Sequence, residues 1–167
     1  MENDRGHAPD GCGTTGEVNA LTDSGLQPLV DASCEIIVIA CNTATMAAIT
    51  TLSATYPATK FVGIEPMLKP AAAMSQTAHI AVLATPLTLQ SKRYRQLVAD
   101  YTNGVKVSEP NTAGWATAIE HNTPSQISFV ELQELITAGC DILVLACTHY
   151  LALHSLLAHE FPHVQVL

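Results

Sequence analysis

Cys41 and Cys147 stand in equivalent places in this chain. Each closes a run of aliphatic and β-branched residues, and each is followed at once by polar side chains: Asn42 and Thr43 in one case, Thr148 and His149 in the other. The thiolate is the form of cysteine that takes a proton or attacks carbon. Two thiols that face one carbon from opposite sides can invert it. One removes a proton from its face, the other donates a proton to the opposite face, and the roles exchange in the reverse reaction. A single base would have to move to serve both faces.

The elements that must position this pair form an internal repeat. Cys34-Glu35-Ile36-Ile37-Val38-Ile39-Ala40-Cys41 matches Cys140-Asp141-Ile142-Leu143-Val144-Leu145-Ala146-Cys147 in kind at every position. Each copy reads as a buried parallel strand, a polar turn and a helix start. Ligands of parallel α/β sheets bind beyond the carboxyl ends of the strands, and a helix N-terminus there favours a thiolate. Two copies far apart indicate two related lobes, because a solenoid needs about three units or more.

The rest of the chain fits that frame. The patterning predicts helices over 17–33, 44–55, 66–76, 89–101, 112–121, 125–138 and 150–160, and strands over 35–40, 60–64, 79–84, 105–108, 141–146 and 164–167. Strands alternating with helices predict an α/β fold, here two pseudo-symmetric lobes with parallel sheets flanked by helices.

Composition narrows the function. Apolar residues make up 48% of the 167 residues, enough for a packed core. The net charge of −8 and the lack of a basic stripe argue against nucleic acid or an anionic membrane as partner. No apolar run is long enough to span a bilayer, and five cysteines without a leader-like start predict a reducing cytoplasm. There is no Cys-x-x-Cys pair, dinucleotide fingerprint, phosphate-binding loop or nucleophile elbow, so no metal or nucleotide is expected. Cys12, Cys34 and Cys140 read as packing residues, and His154, His159 and His163 as solvated ones. A cysteine hydrolase could draw on Cys147 and His149, but residues two apart rarely meet in the needed geometry, and that reading leaves the repeat unexplained.

With these residues in place, the chain resembles the glutamate racemases of the aspartate/glutamate racemase superfamily. Ala40-Cys41-Asn42-Thr43-Ala44-Thr45 and Ala146-Cys147-Thr148-His149-Tyr150 are similar to that family's two cysteine motifs. Gly63-Ile64-Glu65-Pro66, Lys69-Pro70-Ala71 and Ile80–Thr85 with Thr88 and Ser91 resemble further segments in matching order. His7–Gly11 is similar to a family Pro-Tyr-Gly loop in which Asp10 replaces the tyrosine. The resemblance implies a cofactor-independent racemase that interconverts L- and D-glutamate and supplies D-glutamate for peptidoglycan. It makes Cys41 and Cys147 the two bases and has His149 support Cys147. Asn42, Thr43 and Thr148 would hold the substrate carboxylate and amine, Thr85 and Thr88 would line the pocket, and Gly11 would contact substrate from the loop. Glu120 falls where the family often carries a glutamate near the site.

Against the family pattern, the chain is expected to be shortened at both ends. An opening strand with an Asp-Ser-Gly-type motif has no counterpart, and Asp23-Ser24-Gly25 lies in a helical stretch instead. Mapped on the family, residues 1–64 would be a first lobe and residues 65–167 a second; the first is therefore expected to be incomplete, with edges and apolar faces that favour a homodimer, strand exchange or aggregation. Two other readings remain: a racemase lobe that binds a dicarboxylic amino acid without turning it over, and a related racemase with another substrate.

Overall fold

The computed structural model describes residues 13–167, so Gly11, its loop and Cys12 lie outside the described residues. Helix α1 (Thr15–Asp31) begins at a reciprocal cap. The Glu17 backbone N–H donates to the Thr14 hydroxyl at 3.2 Å, and the Thr14 N–H donates to the Glu17 carboxylate at 2.7 Å. Pro28 lies inside this helix and removes the N–H that would otherwise bond the Ser24 carbonyl one turn back. Strand β1 (Ile36–Ile39), helix α2 (Asn42–Thr55) and strand β2 (Lys60–Gly63) come next, and β1 pairs with β2 in parallel from Ile36 opposite Lys60 to Ile39 opposite Gly63.

The second sheet has four parallel strands in the order β4-β3-β5-β6. It is built from α3 (Leu68–Met74), β3 (His79–Leu83), α4 (Pro86–Gln90), α5 (Lys92–Tyr101), β4 (Lys106–Ser108), α6 (Trp115–Glu120), α7 (Val130–Thr137), β5 (Ile142–Leu145), α8 (His154–Glu160) and β6 (Gln165–Val166). A short 3₁₀ turn (Pro124–Gln126) precedes α7, and a 3₁₀ helix (Thr148–Leu153) runs into α8. One face of the sheet packs on α6, α7 and α8 through Trp115, Leu132 and Leu157, and the other on α3 and α5 through Leu68, Ala71 and Tyr94. At its amino end the Asp141 carboxylate clips the turn into β3. It accepts from the Ser75 hydroxyl and from the Gln76 and Thr77 N–H groups at 2.6–3.1 Å. Burial works to raise the Asp141 pKa, but these bonds together hold it below the usual value.

The expected helix over 89–101 is in fact two helices. Thr85 caps α4 and Ser91 caps α5, each hydroxyl accepting a backbone N–H three residues on, and Ser91 is extended (φ −68°, ψ 144°), which breaks the run. Pro66 does not open α3, which starts two residues later. The expected helix over 150–160 is 3₁₀ up to Leu153 and α-helical only from His154. The reading of 35–40 as a strand buried on both faces is also corrected. Ile37 and Ile39 are buried under α1 and α2, but Ile36 is 58% and Val38 62% exposed, and Val62, paired with Val38, is 44% exposed.

The repeat extends into the helix ends. Ser33 (φ 56°) and Gly139 (φ 95°) are both left-handed. In each copy the same two bonds close the helix: Cys34 N–H to Leu29 O with Ser33 N–H to Val30 O, and Cys140 N–H to Leu135 O with Gly139 N–H to Ile136 O. Only the second copy uses glycine there. Ser33→Gly is expected to stabilise the fold by about 1 kcal/mol, since the side chain is strained in this region. Gly63→Ala acts in the opposite sense, because its Cβ would lie 2.7 Å from the Thr45 hydroxyl and 2.9 Å from Ile49 Cδ1 in the close packing of α2 on β2. That overpacking is expected to cost about 1–3 kcal/mol. Urea denaturation of both variants checks the signs.

Candidate active site

Cys41 and Cys147 have nearly the same backbone conformation (φ −140°, ψ 124° and φ −147°, ψ 133°), each as the residue before a helix at the carboxyl end of a strand. The helices they lead into differ. Cys41 heads a 14-residue α-helix, and its sulfur accepts the Ala44 N–H at 3.5 Å. Cys147 heads the 3₁₀ helix, where the Tyr150 N–H bonds the Cys147 carbonyl at 3.0 Å. Cys147 is buried and Cys41 half-buried.

Three buried threonines join α2 to the segment after β3. The Thr43 hydroxyl lies 3.0 Å from that of Thr85 and 3.4 Å from that of Thr88, and the Thr85 hydroxyl donates to Thr88 at 3.1 Å. Thr43 belongs to α2, whereas Thr85 comes after β3. The Ala146 N–H bonds the Leu83 carbonyl, which sets Cys147 beside Thr85 at the ends of neighbouring strands. Both cysteine motifs therefore open on one region between the sheets. Core packing crosses it too: Met46 of α2 enters the core of the second sheet, and Leu87 of α4 packs on the core of the first. Asn42, at the start of α2, is 6% exposed and its Oδ1 has no hydrogen-bond partner. A buried acceptor without a donor is costly, and a ligand N–H would satisfy it.

His149 lies between Cys147 and Glu120. Its Nδ1 is 3.9 Å from the Cys147 sulfur, and its Nε2 is 3.0 Å from Glu120 Oε2 at the end of α6. Residues two apart, expected rarely to meet, are in contact here because 3₁₀ winding turns His149 back toward the cysteine. Glu120 is half exposed and Thr148 exposed. The sequence reading did not single out Thr112, whose hydroxyl donates to the Ala84 carbonyl at 2.5 Å and whose carbonyl accepts the Tyr150 hydroxyl at 3.2 Å. No local pattern marks it, since the bond spans 38 residues.

Among the described residues, no group of three His, Cys, Asp or Glu side chains is placed to hold a metal ion. His159 and His163 are four apart in sequence, but α8 ends at Glu160 between them. Also among the described residues, no helix is long and apolar enough to cross a membrane.

Residues 11–167 match the Asp/Glu/Hydantoin racemase family. The chain is 41% identical over 131 residues to a glutamate racemase of Pseudomonas putida strain W619, which aligns 75% of this chain with 49% of that protein. It is 35% identical over 164 residues to a glutamate racemase of Pseudomonas entomophila, covering 95% of this chain and 62% of the relative. The chain thus spans about half to two thirds of the length of these relatives. The fold matches the crystal structure of a Francisella tularensis glutamate racemase in complex with D-glutamate. The TM-score is 0.75 at 21% identity, over 98% of this chain and 63% of the other.

The cysteines should separate by reactivity. Burial pushes the Cys140 thiol up to about 11, its bond to the Ile142 carbonyl working the other way, so about one molecule in a thousand carries the thiolate at pH 8. Iodoacetamide is expected to modify half-buried Cys41 in the folded chain and to leave Cys140 intact, as read by peptide mass spectrometry. Equal labelling of the two would contradict this.

Proposed function

Since the chain belongs to the Asp/Glu/hydantoin racemase family, we propose that it interconverts L- and D-glutamate with Cys41 and Cys147 as paired acid and base. The observation that carries this reading is the matched placement of the two cysteines at strand ends that open on the same inter-lobe region. In one direction the Cys41 thiolate takes the α-proton, and the electron pair left on carbon is delocalised into the substrate carboxylate. The Cys147 thiol then delivers its proton to the opposite face. The reverse reaction exchanges the roles, and the reading needs no cofactor for either step.

The polar residues fit this chemistry. The orphaned Asn42 Oδ1 is suited to accept from the substrate ammonium. Thr43 and Thr148 supply hydroxyls for the carboxylate, with Thr85 and Thr88 lining the pocket beside Thr43, and Gly11 is assigned to the substrate loop. His149, held by Glu120, serves Cys147. The lobes divide at 64/65. In the cell, the product would feed peptidoglycan synthesis from the cytoplasm and so bear on cell shape.

A second reading is a lobe pair that binds glutamate without turnover, in line with the sheet face left open at Ile36, Val38 and Val62. Self-association through that face would make a homodimer, and Val38→Lys is expected to lower its apparent mass in sedimentation.

The deciding measurement is deuterium uptake at the α-carbon of L- and D-glutamate in heavy water. Wild type should exchange both enantiomers. Cys41→Ser and Cys147→Ser should each lose at least about a hundredfold, the scale of a positioned acid or base. Glu120→Gln should slow the direction that begins at Cys147 more than the other. A folded wild type without exchange would leave the binding reading.

A further inference from the structure

The register that aligns Cys41 with Cys147 aligns Ala44 with Tyr150, and here the copies part company. In the first copy an α-helix holds its own thiol, through the Ala44 N–H on the Cys41 sulfur. In the second copy the cysteine leads into six residues of 3₁₀ helix, an element with poor hydrogen-bond geometry that relies on outside support.

Tyr150 supplies that support. It is 1% exposed, its hydroxyl donates to the Thr112 carbonyl at 3.2 Å, and its ring stands edge-on to Trp115 with centroids 5.7 Å apart. Trp115 opens α6, the helix that ends in Glu120. Thr112 is itself fixed through its hydroxyl to the Ala84 carbonyl, just before Thr85. One phenol therefore ties the Cys147 segment, the helix of Glu120 and the end of β3 into one frame. The frame has little slack, because His149 Nδ1 is 3.9 Å from the Cys147 sulfur, near the long limit for such a contact. Burial pushes the Tyr150 hydroxyl up to about 12, the bond to Thr112 lowering it and nearby Cys147 raising it, so the phenol stays a donor.

We propose that Tyr150 is the positioning residue of Cys147: its hydroxyl on the Thr112 carbonyl sets the register of residues 148–153 against α6, and so holds His149 between Cys147 and Glu120. Cys41 needs no such strut. This deepens the racemase reading and rests on its assignment of Cys147 and His149, yet it can be tested without turnover.

The test is Tyr150→Phe in the full chain. Iodoacetamide alkylation of Cys147 and Cys41 is monitored from mildly acid to mildly alkaline pH by peptide mass spectrometry. Loosening alone changes access and hence the plateau rate, whereas loss of His149 as a partner moves the midpoint of the pH profile. The Cys147 midpoint is expected to move up, so that the neutral-pH rate relative to the plateau falls about tenfold, one unit of pKa. His149→Ala should shift it at least as far, and the Cys41 midpoint should stay in place. An unmoved Cys147 midpoint, or equal shifts in both cysteines, would overturn the proposal. If circular dichroism shows Tyr150→Phe unfolded, Thr112→Val decides. It keeps the accepting carbonyl but frees it from Ala84, and it must shift Cys147 alone in the same direction. A wild type that exchanges no α-deuterium defeats the racemase reading and leaves this outcome to stand by itself.

Discussion

The structure turns on three buried hydroxyls. Thr43, Thr85 and Thr88 lie where the start of α2 meets the segment after β3, and each finds a partner within the group. Left alone, a buried hydroxyl costs about 1–3 kcal/mol, so the lobes cannot part here without water or a ligand taking the vacated bonds. The same three groups are therefore the seam between α2 and the end of β3. Met46 and Leu87 reinforce the seam by crossing it in opposite directions, each filling the other sheet's core. A polar ligand with several oxygens can exchange bonds with the threonines without leaving any of them orphaned, whereas an apolar one cannot.

Around that seam the chain uses one backbone recipe twice. Helix, left-handed residue, strand, cysteine and helix start recur with the same closing bonds and nearly the same cysteine dihedrals. The environments of the two sulfurs nevertheless differ. One is held by an N–H of its own helix, and the other stands beside an imidazole that a carboxylate holds from behind. Pseudo-symmetry of the fold thus places two thiols without making them equal. An enzyme acting on a chiral carbon has reason to depart from symmetry, because L- and D-substrates present different groups to the two sides.

Strand positions and the parallel arrangement were legible in the sequence, because aliphatic runs bounded by polar turns leave few alternatives. Helix ends were less so. Pro66 sits before α3 rather than in it, and the hydroxyl of Ser91 ends one helix while capping the next, a choice that depends on local dihedrals rather than on residue type. The His149 contact was hidden for a related reason, since sequence spacing has to be converted to geometry by a winding. On an α-helix residues two apart point away from each other, whereas the tighter 3₁₀ turn after Cys147 brings His149 within 3.9 Å of the sulfur. Thr112 was invisible because its bonds to Ala84 and Tyr150 are tertiary.

The exposed face of β1 shows most directly what sequence alone leaves open. Ile36 and Val38 have the same residue types and spacing as Ile142 and Val144, yet the first two are 58% and 62% exposed and the second two 1% each. No local propensity distinguishes them. The difference lies in what packs on the sheet: β5 runs between β3 and β6 beneath α3 and α5, whereas among the described residues β1 pairs with β2 alone and has helices only on the side of Ile37 and Ile39. A run of aliphatic residues therefore encodes a strand able to be buried on both faces, and the neighbours of that strand decide whether it is. In the second sheet that cover comes from the flanking strands β3 and β6 and from α3 and α5.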